Sequence, residues 1–170
     1  EHSGSVPGYL SSAFYENNDN GVFNLNNAAI PDDFAISYSN AIGDTDNDGY
    51  PEIAVNNINH DNIFLWKNNT ATVNNWLKIK LEGTQSNRSG IGSLIEISVN
   101  GTKQYRYTLC GEGYLSQNAA TEIFGLGTEV NIDYVKVKWL SGIEDMVYNI
   151  NTNQQLNITE GSTLALEENA

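Results

Sequence analysis

The 170 residues contain a single cysteine, Cys110, so no disulfide can staple this fold from within. Histidine is almost as scarce. His2 and His60 are the only two, and no spacing links either of them to Cys110, so a thiol–imidazole pair is not signalled. Positive charge is sparse: 8 Lys and Arg stand against 21 Asp and Glu, a net charge of −13. A surface of that sign repels phosphate backbones and anionic lipid before contact, which excludes nucleic acid and membrane surfaces as partners. No segment approaches the roughly 18 apolar residues of a spanning helix, so no membrane insertion is expected. Residues Glu1 to Pro7 also lack the charged start and apolar stretch of a signal peptide, and the chain reads as a mature form or an excised fragment.

What remains is a chain whose polar residues are largely Asn, Ser, Thr and Gly, since only 17% of positions are charged. Asn, Ser and Thr compete for backbone hydrogen bonds and β-branched side chains lose rotamer freedom in helices, so the composition favours strands and turns. Three Trp, nine Tyr and five Phe are too many aromatics for a disordered tail.

Period-2 alternation is cleanest after residue 75. Leu77, Ile79 and Leu81 alternate with Lys78, Lys80 and Glu82. Ile95, Ile97 and Val99 alternate with Glu96, Ser98 and Asn100, and Val135, Val137 and Trp139 alternate with Lys136 and Lys138. Each run predicts a strand with one face buried. Turns are signalled at Ser89-Gly90, Asn100-Gly101, Gly111-Glu112-Gly113 and Ser141-Gly142. Asn100-Gly101 is the strongest hairpin signal, because both positions tolerate positive φ. No helical stripe is present, so the expected architecture is antiparallel sheets packed as a sandwich or small barrel. Cys110, after the run Tyr105 to Leu109, is expected to pack at a strand end. Tyr105, Tyr107 and Trp139 share the parity of the apolar residues and are expected in the core.

The first 70 residues differ in texture, with more Asn and Asp and shorter apolar runs at Phe34 to Tyr38, Ile53 to Val55 and Ile63 to Trp66. A boundary near Asn68 to Asn75 is expected. Phe14-Tyr15-Glu16-Asn17-Asn18 is echoed by Leu65-Trp66-Lys67-Asn68-Asn69 at a spacing of about 50 residues, within the range of propeller blades. A lone blade cannot bury both faces and must lean on a neighbour.

The run Asp44-Thr45-Asp46-Asn47-Asp48-Gly49-Tyr50-Pro51-Glu52 places carboxylates at loop positions 1, 3, 5 and 9 with glycine at 6. Calcium takes six to eight oxygens at about 2.3–2.6 Å, and alternate residues of a tight loop can aim their side chains at one centre. The expected ligands are the side chains of Asp44, Asp46, Asp48 and Glu52, together with the carbonyl of Tyr50. An EF-hand would need glutamate at position 12, where Val55 stands, so this is a calcium loop between strands. The alternative is an acidic turn without a metal, which three crowded Asp disfavour by mutual repulsion. Magnesium fits less well, since it demands strict octahedral geometry.

The segment Ala41 to Trp66, with GDTDNDGYPEIAV and then DNIFLWKNN, resembles an FG-GAP or VCBS-type repeat, a propeller-blade motif with a calcium loop. Residues 76 to about 160 resemble the ASPIC/UnbV domain that follows such repeats in secreted proteins. The resemblance is carried by SNRSGIG at Ser86 to Gly92, GEGYLSQNAATEIFGLG at Gly111 to Gly127 and VKVKWLSG at Val135 to Gly142. Glu52 stands where the repeat more often has Asp, and Leu140 where the domain often has proline. The resemblance implies secretion or a cell-surface location, calcium binding and a recognition role. Its motif residues Asn87, Arg88, Gly90, Gly92, Gly113, Tyr114, Gln117 and Gly125 to Gly127 can equally be structural.

The expectation is therefore an all-β chain in two parts: a calcium-binding blade-like segment over residues 1–70, and an antiparallel β-sandwich over residues 71–170. Its expected function is an extracellular interaction or adhesion module, part of a larger exported protein, with a protein or glycan partner and no catalytic residues. The alternative is a carbohydrate-binding appendage using Tyr105, Tyr107, Tyr114 and Trp139. An enzyme built on paired carboxylates such as Glu112 and Glu122 lacks support from spacing.

Overall fold

The computed structural model describes residues 12–18, 20–30, 35–58, 62–70 and 73–163. His2, Phe34 and His60 lie outside them. The described residues form twelve strands and no helix.

The runs read as half-buried strands are strands, and they build two sheets face to face. One sheet has the order β12–β6–β9, from Asn75–Glu82 (β6), Thr121–Gly127 (β9) and Gln154–Thr159 (β12). The other has the order β11–β10–β7–β8, from Leu94–Val99 (β7), Thr102–Tyr107 (β8), Tyr134–Lys138 (β10) and Glu144–Val147 (β11). Between them lies the main core: Leu77, Ile79 and Leu81 of β6, Phe124 and Leu126 of β9 and Ile158 of β12 meet Ile95, Ile97, Val99, Val135, Val137 and Trp139. Alternation produces this directly, because successive side chains of a strand point to opposite faces. The β7–β8 hairpin turns at Asn100-Gly101, with φ of 49° and 75°.

Three expectations are corrected. The second sheet is antiparallel throughout, but β12 runs parallel to β6, with Gln154 opposite Leu77 and Thr159 opposite Glu82. Tyr105 and Tyr107 are 48% and 58% exposed. They sit opposite Glu96 and Leu94 in β7, whereas Arg106, opposite the buried Ile95, turns inward over the Phe124 ring at 5.1 Å. Parity within a strand divides two faces without saying which is inside, and on this edge strand the aromatics took the outer one. Trp139 is buried as expected. Cys110 is exposed, because β8 ends at Tyr107 and Cys110 belongs to the loop beyond it.

The earlier part of the chain forms a hairpin, Tyr15–Asn17 (β1) with Phe23–Leu25 (β2), and an antiparallel sheet in the order β3–β4–β5, from Ser37–Gly43, Glu52–Asn57 and Phe64–Trp66. Its described hydrophobic residues are mostly uncovered. Ala35 and Val55 are buried, whereas Phe23, Leu25, Ile42, Ile63 and Leu65 are exposed. This sheet rests against the sandwich through β3, where Asn118 accepts a hydrogen bond from the Ile42 N–H at 2.9 Å and the Ala119 N–H donates to the Ile42 carbonyl at 2.9 Å. Tyr38 and Tyr114 rings add a tilted contact with centroids 5.4 Å apart.

Candidate metal centre

The loop from Asp44 to Pro51 connects β3 to β4 and is held tightly by its own carboxylates. Asp44 accepts from the N–H groups of Asp48 at 3.1 Å and Gly49 at 3.0 Å, and Asp48 accepts from the Tyr50 N–H at 2.8 Å. Asn47 and Gly49 both adopt positive φ, 62° and 89°. Asparagine and glycine are the residues that tolerate that conformation, and the chain reverses sharply between them.

The turn gathers three of the expected ligands: a carboxylate oxygen from each of Asp44, Asp46 and Asp48 lies within 4.8 Å of the others. Glu52 is not in that triplet. It heads β4 and is 3% exposed. Its Oε2 accepts from both the N–H and the hydroxyl of Thr45 at 2.8 Å, while its Oε1 is buried without a hydrogen-bond partner among the described residues. Tyr50 donates its hydroxyl to the Asn74 carbonyl at 3.0 Å, tying the loop to the start of β6.

Two lysines serve the same cluster. Lys67 pairs with Asp46 at 2.7 Å at the surface, and its hydrogen bond holds the Asp46 carboxyl below its ordinary value. The Lys67 ammonium is raised in turn, first by Asp46 and to a lesser degree by Asp48 and Glu52, so these three carboxylates share one neighbourhood. Lys78, expected on the solvent face of β6, is 3% exposed. Its ammonium donates to Asp44 Oδ2 at 2.9 Å and to Asn47 Oδ1 at 2.9 Å. The loop itself covers the outer face of β6 at this point. Neither lysine was signalled by the loop motif, because both contacts join residues distant in sequence.

The donors fit a hard cation. All are oxygens, three carboxylates converge, and the orphaned Glu52 Oε1 is a buried acceptor beside the loop, an arrangement that is costly unless something compensates it. Four carboxylates against two ammonium groups leave two negative charges uncompensated, the charge of one divalent ion.

The other motif residues shape loops. Asn87 spans its own turn, accepting from the Ile91 N–H at 2.9 Å and donating to the Ile91 carbonyl at 2.7 Å. Gln117 accepts from the Gly111 N–H at 2.5 Å. The loop Thr84-Gln85-Ser86 is organised by a residue the sequence did not single out, the buried Glu160: its carboxylate accepts three backbone N–H groups at 2.7 Å and the hydroxyls of Ser86 and Ser141. Burial pushes that carboxyl up, but these hydrogen bonds outweigh it and bring it down to about 2. Glu122 behaves oppositely: burial and then the charge of Glu112 push its carboxyl up.

No curated protein matches the chain. Residues 83–165, running from the end of β6 through β12 and beginning well after the Asp44–Glu52 loop, match the family model described as ASPIC and UnbV.

Proposed function

We propose that the Asp44–Glu52 loop binds one calcium ion through Asp44, Asp46, Asp48, Glu52 and the Tyr50 carbonyl, and that the chain is an exported interaction module whose blade-like segment the ion braces. The observation that carries this reading is the convergence of three carboxylates in the loop that leads into Glu52, whose buried Oε1 has no hydrogen-bond partner among the described residues. Four charged ligands leave little reason for an open catalytic position, so the ion's role is structural. The exposed Phe23, Leu25, Ile42 and Leu65 support an adhesive or assembly role, since they leave apolar side chains of the blade-like segment open to a partner. The resemblance of the loop to FG-GAP repeats and the ASPIC and UnbV match support an extracellular or cell-surface setting. Equilibrium dialysis of chelator-treated protein against calcium tests the reading: one ion per chain is expected, and none for Asp46→Ala.

A second reading, a carbohydrate-binding surface, is favoured by the outward turn of Tyr105 and Tyr107. Strand register sets Tyr105, Glu96, Lys136 and Met146 in one row of the outer face and Tyr107, Leu94, Lys138 and Glu144 in the next. Tyr134 donates its hydroxyl to Glu96 at 2.6 Å, which fixes its ring. Exposed aromatics beside polar groups on the outer face of a sheet can stack on sugar rings. A glycan array comparing the native chain with Tyr105→Ala/Tyr107→Ala tests it, and equal binding by both would remove this surface from consideration.

A further inference from the structure

The geometry points to Lys78 as a built-in cation of the Asp44–Glu52 loop, one that keeps the loop folded and docked on β6 without a divalent ion and thereby lowers the loop's affinity for that ion. The inference rests on the calcium reading above and concerns how that site is regulated.

Three observations carry it. The Lys78 ammonium is bound to two loop residues, Asp44 and Asn47, at 2.9 Å each, and Asp44 is also the first residue of the carboxylate triplet. The side chains of Lys78 and Asp44 are 4% and 1% exposed, so their interaction is poorly screened by water or salt and the ammonium is felt strongly by any cation sharing Asp44. Lys78 belongs to β6 of the sandwich, whereas Asp44 and Asn47 belong to the β3–β4 connection. The buried positive charge on the loop therefore comes from the other sheet, and the same contact fixes the loop in place.

Lys67 provides an internal contrast. It pairs with Asp46 at 2.7 Å, but its side chain is 60% exposed, so solvent screens its charge and its removal changes little. Both lysines neutralise the cluster, and burial makes Lys78 the one that matters.

The experiment is calorimetric titration of calcium alone into the chelator-treated full chain, with thermal melts in chelator and in calcium. The variants are Lys78→Met, Lys78→Arg and Lys67→Met. Removing a buried ammonium beside the site is expected to tighten calcium binding by at least about tenfold in Lys78→Met, against less than about threefold in Lys67→Met. Lys78→Met is also expected to melt lower than the native chain in chelator, with calcium closing the gap. Lys78→Arg, which keeps the charge, is expected to bind as the native chain does. A Lys78→Met chain unfolded in chelator but folded in calcium supports the proposal, because the ion has then replaced the ammonium. A Lys78→Met chain that stays unfolded in calcium overturns it, as does equal affinity in Lys78→Met and the native chain, or equal gains in Lys78→Arg and Lys78→Met. Equal, measurable affinities leave the calcium site standing without this role for Lys78. Binding by Lys78→Met alone supports the proposal while removing calcium from the native chain. Binding by neither overturns both.

Discussion

The indole of Trp76 occupies the space a side chain on Gly49 would need: a Cβ there would lie 2.2 Å from Trp76 Cε2 and Nε1. Trp76 is in β6 and Gly49 is at the tip of the acidic loop, so this glycine both permits the turn, at φ 89°, and lets the loop close onto the sandwich. Gly49→Ala imposes left-handed strain and displaces the indole. Denaturant unfolding is expected to show a loss of about 1–3 kcal/mol, with the intrinsic fluorescence of Trp76 shifted towards that of a more solvated indole.

Acid is expected to loosen the sandwich through carboxylates that ionise more readily when folded. Hydrogen bonding holds Glu160 at about 2 against an ordinary 4.5. Glu96 is likewise held at about 2, first by the Tyr134 hydroxyl and then by Lys103. A depressed folded-state value stabilises above the ordinary value, and that stabilisation is lost as pH falls towards the folded one. Melting temperature is therefore expected to drop between pH 4.5 and 2. Glu160→Gln should melt lower than the native chain at neutral pH and lose less on acidification, and parallel acid limbs for the two proteins would contradict this assignment.

Trp139 and the exposed tyrosines separate core from surface. The Trp139 indole N–H donates to the buried Asp145 at 2.7 Å. Trp139→Phe keeps most of the ring but removes that donor, and a loss of about 1–3 kcal/mol is expected from chemical denaturation. Tyr105→Ala, at a half-exposed position on an edge strand, is expected to fall within about 0.5 kcal/mol of the native chain.

Much of the sandwich was legible in its sequence, because β6, β7 and β10 each bury one face and their periodicity records it. Asn100-Gly101 gave the hairpin turn for an equally local reason. The parallel pairing of β12 with β6 left no such trace, since parallel and antiparallel neighbours impose the same alternation on a strand. Tyr105 and Tyr107 were misplaced because parity cannot say which side of an edge strand faces the core. The triplet Asp44, Asp46 and Asp48 was visible as a spacing, the geometry of a turn being local. Glu52 was read as a fourth ligand from its spacing alone; its Oε2 is engaged by Thr45, a local contact that the spacing did not signal. Lys78 was invisible as part of the site: it sits 34 residues from Asp44, at a position that alternation alone assigns to solvent. The buried Glu160, which organises a loop 74 to 76 residues away, was hidden for the same reason.

Thermal unfolding of the native chain and Asp46→Ala, each in chelator and in saturating calcium, decides whether the acidic loop holds a structural calcium ion as proposed. Binding to the folded state alone must stabilise it, by about 2.7 kcal/mol at a calcium concentration one hundred times the dissociation constant. The melting temperature is expected to rise by several degrees with calcium in the native chain and to stay unchanged in Asp46→Ala. Superimposable native melts with and without calcium would overturn the proposal and reduce the loop to an acidic turn held by Lys67 and Lys78.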